Sequence, residues 1–166
     1  MTGVQTCALP IFSDILRVKG DSPLFTIDPS ESLLHAVNTM ATKDMGSLLV
    51  MQHGKLVGLL TFREVIMALH RHSGSLGDAK VSSAMDEHPL TCTPEHEIDE
   101  VRQMMIESHS RYIPIVEEGA LKGVISFYDV AKAVLDSHNF ENKMLKAYIR
   151  DWPSEDSDSS SQSARA

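Results

Sequence analysis

Two short stretches of this 166-residue chain place an acid three positions after a hydroxyl: Thr61-Phe62-Arg63-Glu64 and Ser126-Phe127-Tyr128-Asp129. A glycine, Gly58 or Gly123, stands three positions ahead of each hydroxyl. Both stretches lie where a short apolar run gives way to an apolar period of helical spacing. These residue types admit two chemistries. In a capping box the hydroxyl accepts from an unpaired amide of the first helical turn, and the acid reaches back to the amide of the cap residue. In a ligand site the amides of the helix N-terminus attract an anion, and the acid offers two acceptor oxygens suited to the cis hydroxyls of a ribose. The preceding glycine would let such a ligand approach the backbone closely. The motif by itself leaves both readings open.

Other residues with chemical potential are less organised. Only Cys7 and Cys92 are present, with neither metal spacing nor a disulfide framework. His70 and His72 sit two apart, but no cysteine or acid completes a tetrahedral set, so surface histidines and no metal are expected. Arg63 is either a phosphate contact or a solvated helix residue, and the nine methionines suit gap-filling in a core. There is no P-loop, no GxSxG elbow and no catalytic Cys/His pair, so an enzyme is not expected. The net charge of −8, with no concentrated basic patch, makes nucleic acid or an anionic membrane a poor partner. Apolar runs such as LLVM and LVGLL are too short to span a bilayer, and no signal peptide is visible; a cytoplasmic protein is the expectation.

The two hydroxyl-acid stretches are 65 positions apart, and the offset extends well beyond them. Residues 29–69 align with 94–134 without a gap, with eight identities in 41 positions, among them Pro29/Pro94, Met40/Met105, Gly58/Gly123 and Phe62/Phe127. An internal duplication follows. Each copy reads β-α-β-β-α. A strand at Leu24–Ile27 or Leu90–Cys92 runs into Asp28-Pro29 or Thr93-Pro94, read as an N-cap with proline at the first helical position. Leu33, Ala36, Val37 and Met40, or Ile98, Val101 and Met105, form the buried stripe of the helix that follows. Two apolar runs then flank glycine-bearing turns, QHGK and EEGA, predicting hairpins. The second helices start after Thr61 and Ser126. A unit of this size buries only about 60% of its chain surface, so the copies should pack on one another.

The expected organisation assigns residues 1–12 to translation of a sequencing-library adapter (MTGVQTCALPI), with the native N-terminus lost upstream of residue 13. Residues 13–72 form the first repeat with an N-terminal helix, 73–80 a polar linker, and 81–138 the second repeat, opening with a short helix at VSSAM. Phe140, Met144, Leu145, Tyr148 and Ile149 predict a separate, docked C-terminal helix over 139–150, and 151–166 an acidic, Ser-rich disordered tail.

On DPSESLLHAVNTMATKDMGSLLV, GKLVGLLTFREV, VSSAM, SRYIPIVEEGALKGVISFYDVAKAV and LKAYI, the segment from about Ser13 to Arg150 resembles a tandem pair of CBS domains, or Bateman module, of the short stand-alone kind. The resemblance implies an α+β fold of two repeats packed as a pseudo-twofold pair. It also implies a regulatory adenosine-containing ligand: AMP, ADP or ATP, with S-adenosylmethionine or NAD possible. Carried over residue by residue, Asp129 and Ser126 would hold ribose in one site and Glu64 and Thr61 in the other. Gly123 admits the ligand to the backbone, strand residues Phe25, Thr26, Thr91 and Cys92 read adenine, and Arg111 meets phosphate. Two departures stand out. Glu64 replaces the usual aspartate, and Met45-Gly46 occupies the place of Ser110-Arg111, so Asp129 should face an edge without a cation while Arg111 faces the Glu64 side. The resemblance further implies a homodimer through residues 62–72 and 127–138 and an unidentified regulated protein. The rival expectation is a ligand-free interaction or scaffold module whose two motifs are only caps.

Overall fold

A computed structural model describes residues 24–150. In chain order the elements are β1 (Thr26–Ile27), α1 (Leu33–Lys43), β2 (Ser47–Gln52), β3 (Lys55–Thr61), α2 (Phe62–Arg71), a 3-10 turn (Val81–Ser83), α3 (Ile98–Ser108), β4 (Tyr112–Glu117), β5 (Ala120–Ser126) and α4 (Phe127–Arg150). The mixed α/β repeat is present in both halves. No described helix is long and apolar enough to cross a membrane. The adapter-like opening, the N-terminal helix and the acidic tail lie outside the described residues.

The duplication holds down to single backbone angles. Both hairpin turns place two consecutive residues at positive φ, His53-Gly54 at 50° and 76° and Glu118-Gly119 at 50° and 78°. That pairing is what a two-residue type I′ turn requires. A bulge follows Val50 in one hairpin and Ile115 in the other, again 65 positions apart. Helices α1 and α3 both end on a left-handed residue, Asp44 and His109. The amides of Met45 and Ser110 then bond back to the carbonyls of Met40 and Met105 at 2.9 and 3.1 Å.

The expected stripes form two cores. Leu33, Ala36 and Met40 of α1 pack with Leu48, Val50 and Leu60, and Ile98, Val101 and Met105 of α3 pack with Ile113, Ile115 and Ile125. The sheets approach each other along β3 and β5, and α3 packs on α4.

Three expectations are corrected. Asp28 and Thr93 are not helix N-caps; α1 and α3 begin at Leu33 and Ile98, capped by Ser32 and Glu97. The Asp28 carboxylate accepts from the Ser30 hydroxyl at 2.6 Å and the Ser30 amide at 2.8 Å, turning the chain before the helix and holding its own pKa below the usual range. The strand expected at Leu90–Cys92 reduces to one parallel bridge between Cys92 and Ile115, whereas β1 pairs with β2 at two positions. Prolines 89 and 94 bracket this segment and shorten the stretch able to pair. The polar linker also contributes to packing: Leu76 and Ala79 lie against the first core, and Val81 just after it is fully buried there. Finally, residues 139–150 are no separate docked helix. With no glycine or proline to stop it, α4 runs unbroken from 127 to 150, and Phe140, Met144 and Leu145 are 58–60% exposed.

After the 3-10 turn the chain returns to β3. Asp86 and Leu59 exchange both backbone bonds at 2.9 Å. This approach needs Gly58, where a Cβ would lie 2.8 Å from the Asp86 carbonyl oxygen and from Met85 Sδ. Gly58→Ala is therefore expected to lower unfolding free energy by about 1–3 kcal/mol, the typical cost of overpacking. A urea titration measures it, and a variant as stable as the parent would show that the 85–86 segment yields without cost.

Candidate functional site

The two hydroxyl-acid motifs sit at the starts of α2 and α4, and both acids fold back as caps. Glu64 Oε2 accepts from the Thr61 amide at 2.9 Å and from the Thr61 hydroxyl, and Thr61 Oγ1 accepts from the Arg63 amide at 3.2 Å. In the second repeat Asp129 Oδ2 accepts from the Ser126 amide at 2.8 Å and the Ser126 hydroxyl at 2.7 Å, while Ser126 Oγ accepts from the Asp129 amide at 3.2 Å. The extra methylene of Glu64 makes no difference to this arrangement. Each of these bonds uses a single carboxylate oxygen.

Two clefts open beside these caps, each built from both repeats. One, of about 410 Å³, is lined by Thr61, Arg63, Glu64 and Met67 from the start of α2 and by His109, Ser110, Arg111 and Tyr112 from the end of α3 and the start of β4. The other, of about 660 Å³, is lined by Ser126, Phe127, Tyr128 and Asp129 from the β5–α4 junction and by Asp44, Met45, Gly46 and Ser47 from the turn between α1 and β2. Each cleft thus joins the cap of one repeat to the helix-to-strand turn of the other. The expected cross-repeat pairing of Glu64 with Arg111, and of Asp129 with Gly46, is what the linings contain.

One expectation about charge changes. Arg111 and Tyr112 line both clefts, so the Asp129 side does not lack a cation. The reason lies at Gly46, which also belongs to both linings. A Cβ there would fall 1.8 Å from Tyr112 Oη, so the tyrosine crosses over the glycine and the β4 edge faces both ways. Sequence reasoning singled out Gly46 only as a missing cation. The same 65-residue register that pairs Gly46-Ser47 with Arg111-Tyr112 held the signal for Tyr112.

The remaining expected ligand residues are not gathered here. Phe25 packs against the first core, Thr26 and Thr91 are exposed, and Gly123 is buried within β5 opposite Ile115. None of them, nor Cys92, lines either cleft. Cys92 is 1% exposed in the second core, its amide donating to Pro114 and its carbonyl accepting from Val116. Burial pushes its thiol up to about 11. Among the described residues no three His, Cys, Asp or Glu side chains converge to hold a metal.

Comparison with known proteins agrees with this fold. The CBS domain family model matches residues 13–71 and 81–136. The CBS domain-containing protein CBSX3, mitochondrial, of Arabidopsis thaliana is 29% identical over 146 residues, covering 83% of this chain and 71% of its own. The crystal structure of the CBS-domain containing protein ATU1752 from Agrobacterium tumefaciens superposes with a TM-score of 0.71 at 27% identity, covering 77% of this chain and 96% of that one. The crystal structure of CBSX2 in complex with AMP superposes with a TM-score of 0.66 at 20% identity, covering 77% and 98%.

Two measurements follow from the site. Thr61→Ala and Ser126→Ala should each lower unfolding free energy by about 0.5–2 kcal/mol, the cost of a lost N-cap, and by similar amounts, since each hydroxyl accepts one amide of the first turn and donates to its acid. A loss in only one repeat would mean that the caps are not equivalent. The Cys92 thiol keeps its proton to higher pH in the folded chain than its ordinary value of 9.0. Its contribution is fully present below that value and is lost as pH rises toward about 11. Stability of Cys92→Val should fall less steeply than that of the parent across this window, as measured by urea midpoints at successive pH.

Proposed function

Because the chain belongs to the CBS-domain family and carries that domain as a tandem pair, we propose that it is a regulatory module. It binds an adenosine-containing ligand of the AMP, ADP or ATP class between its repeats and signals occupancy to a partner protein. The observation that carries this reading is the composition of the clefts: each pairs the hydroxyl-acid cap of one repeat with the helix-to-strand turn of the other. A ligand seated there touches both halves, so it favours one inter-repeat geometry by its differential affinity for the two states. The AMP complex of CBSX2, a protein of the same fold, supports the ligand class. In our reading Asp129 and Ser126 take the ribose in one cleft and Glu64 and Thr61 occupy the matching place in the other. Ribose binding requires the carboxylate to share, or exchange, its cap contacts.

Occupancy would be read through the outer helices. Phe62, Ile66 and Met67 on α2 and Phe127, Tyr128 and Leu135 on α4 are large, apolar and 47–75% exposed. Such a surface suits a homodimer formed through α2 and α4. A second reading, a ligand-free scaffold, is favoured by one observation: both acids already have cap partners.

A thermal-melt panel separates the two. Full-length protein with AMP, ADP, ATP, S-adenosylmethionine or NAD, with and without Mg²⁺, should show a raised midpoint for at least one ligand. At one hundred times the dissociation constant the gain is about 2.7 kcal/mol. Loss of that gain in Asp129→Ala would seat the ligand in the Asp129 cleft, and loss in Glu64→Ala would seat it in the other. Flat curves at millimolar ligand would favour the scaffold, and a gain kept by both mutants would remove the two acids from the site.

A further inference from the structure

We propose that the two clefts divide their ligands by charge. The one beside Glu64 holds a phosphate-bearing ligand between Arg63 and Arg111, and the sharing of Arg111 limits the chain to one such ligand at a time. The Asp129 cleft then takes a nucleoside without phosphate. This deepens the nucleoside-binding reading above and rests on it.

The clefts differ in their ionic linings. Two guanidinium groups, Arg63 and Arg111, face two carboxylates, Glu64 and Asp86, in the first, which His109 also lines. In the second a single guanidinium, again Arg111, stands with the carboxylates of Asp44 and Asp129. The ion pairs among the described residues include neither Arg63 nor Arg111, and both side chains are exposed. Each planar fork is thus available to an incoming oxyanion, the geometry in which arginine binds phosphate best.

Arg111 cannot serve two phosphates equally. The clefts adjoin: Gly46, Arg111 and Tyr112 line both, with Tyr112 lying against Gly46. An anion that recruits Arg111 into the Glu64 cleft leaves the other cleft with acids alone among its charged lining residues. A second phosphate there would meet like charge at short range without a counter-ion. A neutral nucleoside meets no such penalty. The asymmetry comes from the exchange of Gly46 for Arg111 at equivalent repeat positions, together with Arg63, whose counterpart in the second repeat is Tyr128.

Isothermal titration of the full chain with AMP and with adenosine tests the division. AMP should bind once per chain and weaken as salt rises, since its contact is charge to charge. Adenosine should be insensitive to salt and should still bind the AMP-saturated protein. Arg63→Ala should weaken AMP by about tenfold or more while adenosine affinity is unchanged, and Arg111→Ala should weaken AMP likewise. Melting of each variant without ligand checks that the fold is retained. Two AMP per chain, or AMP affinity unmoved by Arg63→Ala, would overturn the charge division and leave nucleoside binding standing. No binding of either compound would overturn the nucleoside reading itself, and the division with it.

Discussion

The close passage of residues 85–86 over Gly58 is the contact on which the arrangement of the two repeats depends. Without a side chain at 58, β3 can exchange two backbone bonds between Leu59 and Asp86. The preceding residues are held equally firmly to the first repeat. Leu33 donates to Ala79, Val81 to Glu31 and Ser82 to Pro29, all by backbone bonds of 2.7–2.9 Å. The connection between the repeats is therefore structured along its length. A chain leaving the first repeat is delivered to the second at a defined place, and β3 meets β5 as a result. Each half is too small to bury a large share of its surface alone, so this delivery is part of stability as well as of shape.

From that placement the clefts follow. The cap of each repeat lies beside the helix-to-strand turn of the other, and neither cleft exists within one repeat. A pair of identical repeats would produce two identical clefts. Here the hairpins and the ends of α1 and α3 keep the backbone symmetry, with matching bulges and left-handed caps, while the side chains at the cleft edge depart from it. Gly46 and Ser47 leave room; Arg111 and Tyr112 fill it. Duplicated scaffolds can diverge in ligand preference in this way because a cleft lining changes without disturbing the core behind it. Leu33, Ala36 and Met40 face one core and Ile98, Val101 and Met105 the other, whatever stands at the cleft edge.

In the function proposed here, one set of atoms would support both stability and binding. Glu64 and Asp129 each accept two bonds from the residue three positions earlier, which fixes the first turn of α2 and α4. The carboxylate is thereby held at the cleft in one orientation before any ligand arrives, and less conformational freedom remains to be lost on binding. A flexible surface acid at the same place would bring no such preorganisation.

Much of this was legible in the residues. The 65-position register, the two apolar stripes, the turn glycines at 54 and 119, and the helix starts after Thr61 and Ser126 are local patterns, and local patterns follow from periodicity and backbone sterics. The departures have local causes as well: the Asx turn at Asp28, the prolines around Thr91, and an α4 with nothing to end it. What the sequence by itself determined was the duplicated β-α-β-β-α chain and the hydroxyl-acid motifs at two helix starts. Only the tertiary structure decided that Val81 completes the first core, that Tyr112 lies across Gly46, and that Arg111 looks into both clefts. Those facts depend on where two halves of the chain meet: the 65-residue register equates Gly46-Ser47 with Arg111-Tyr112, but only the packed repeats lay the tyrosine across the glycine.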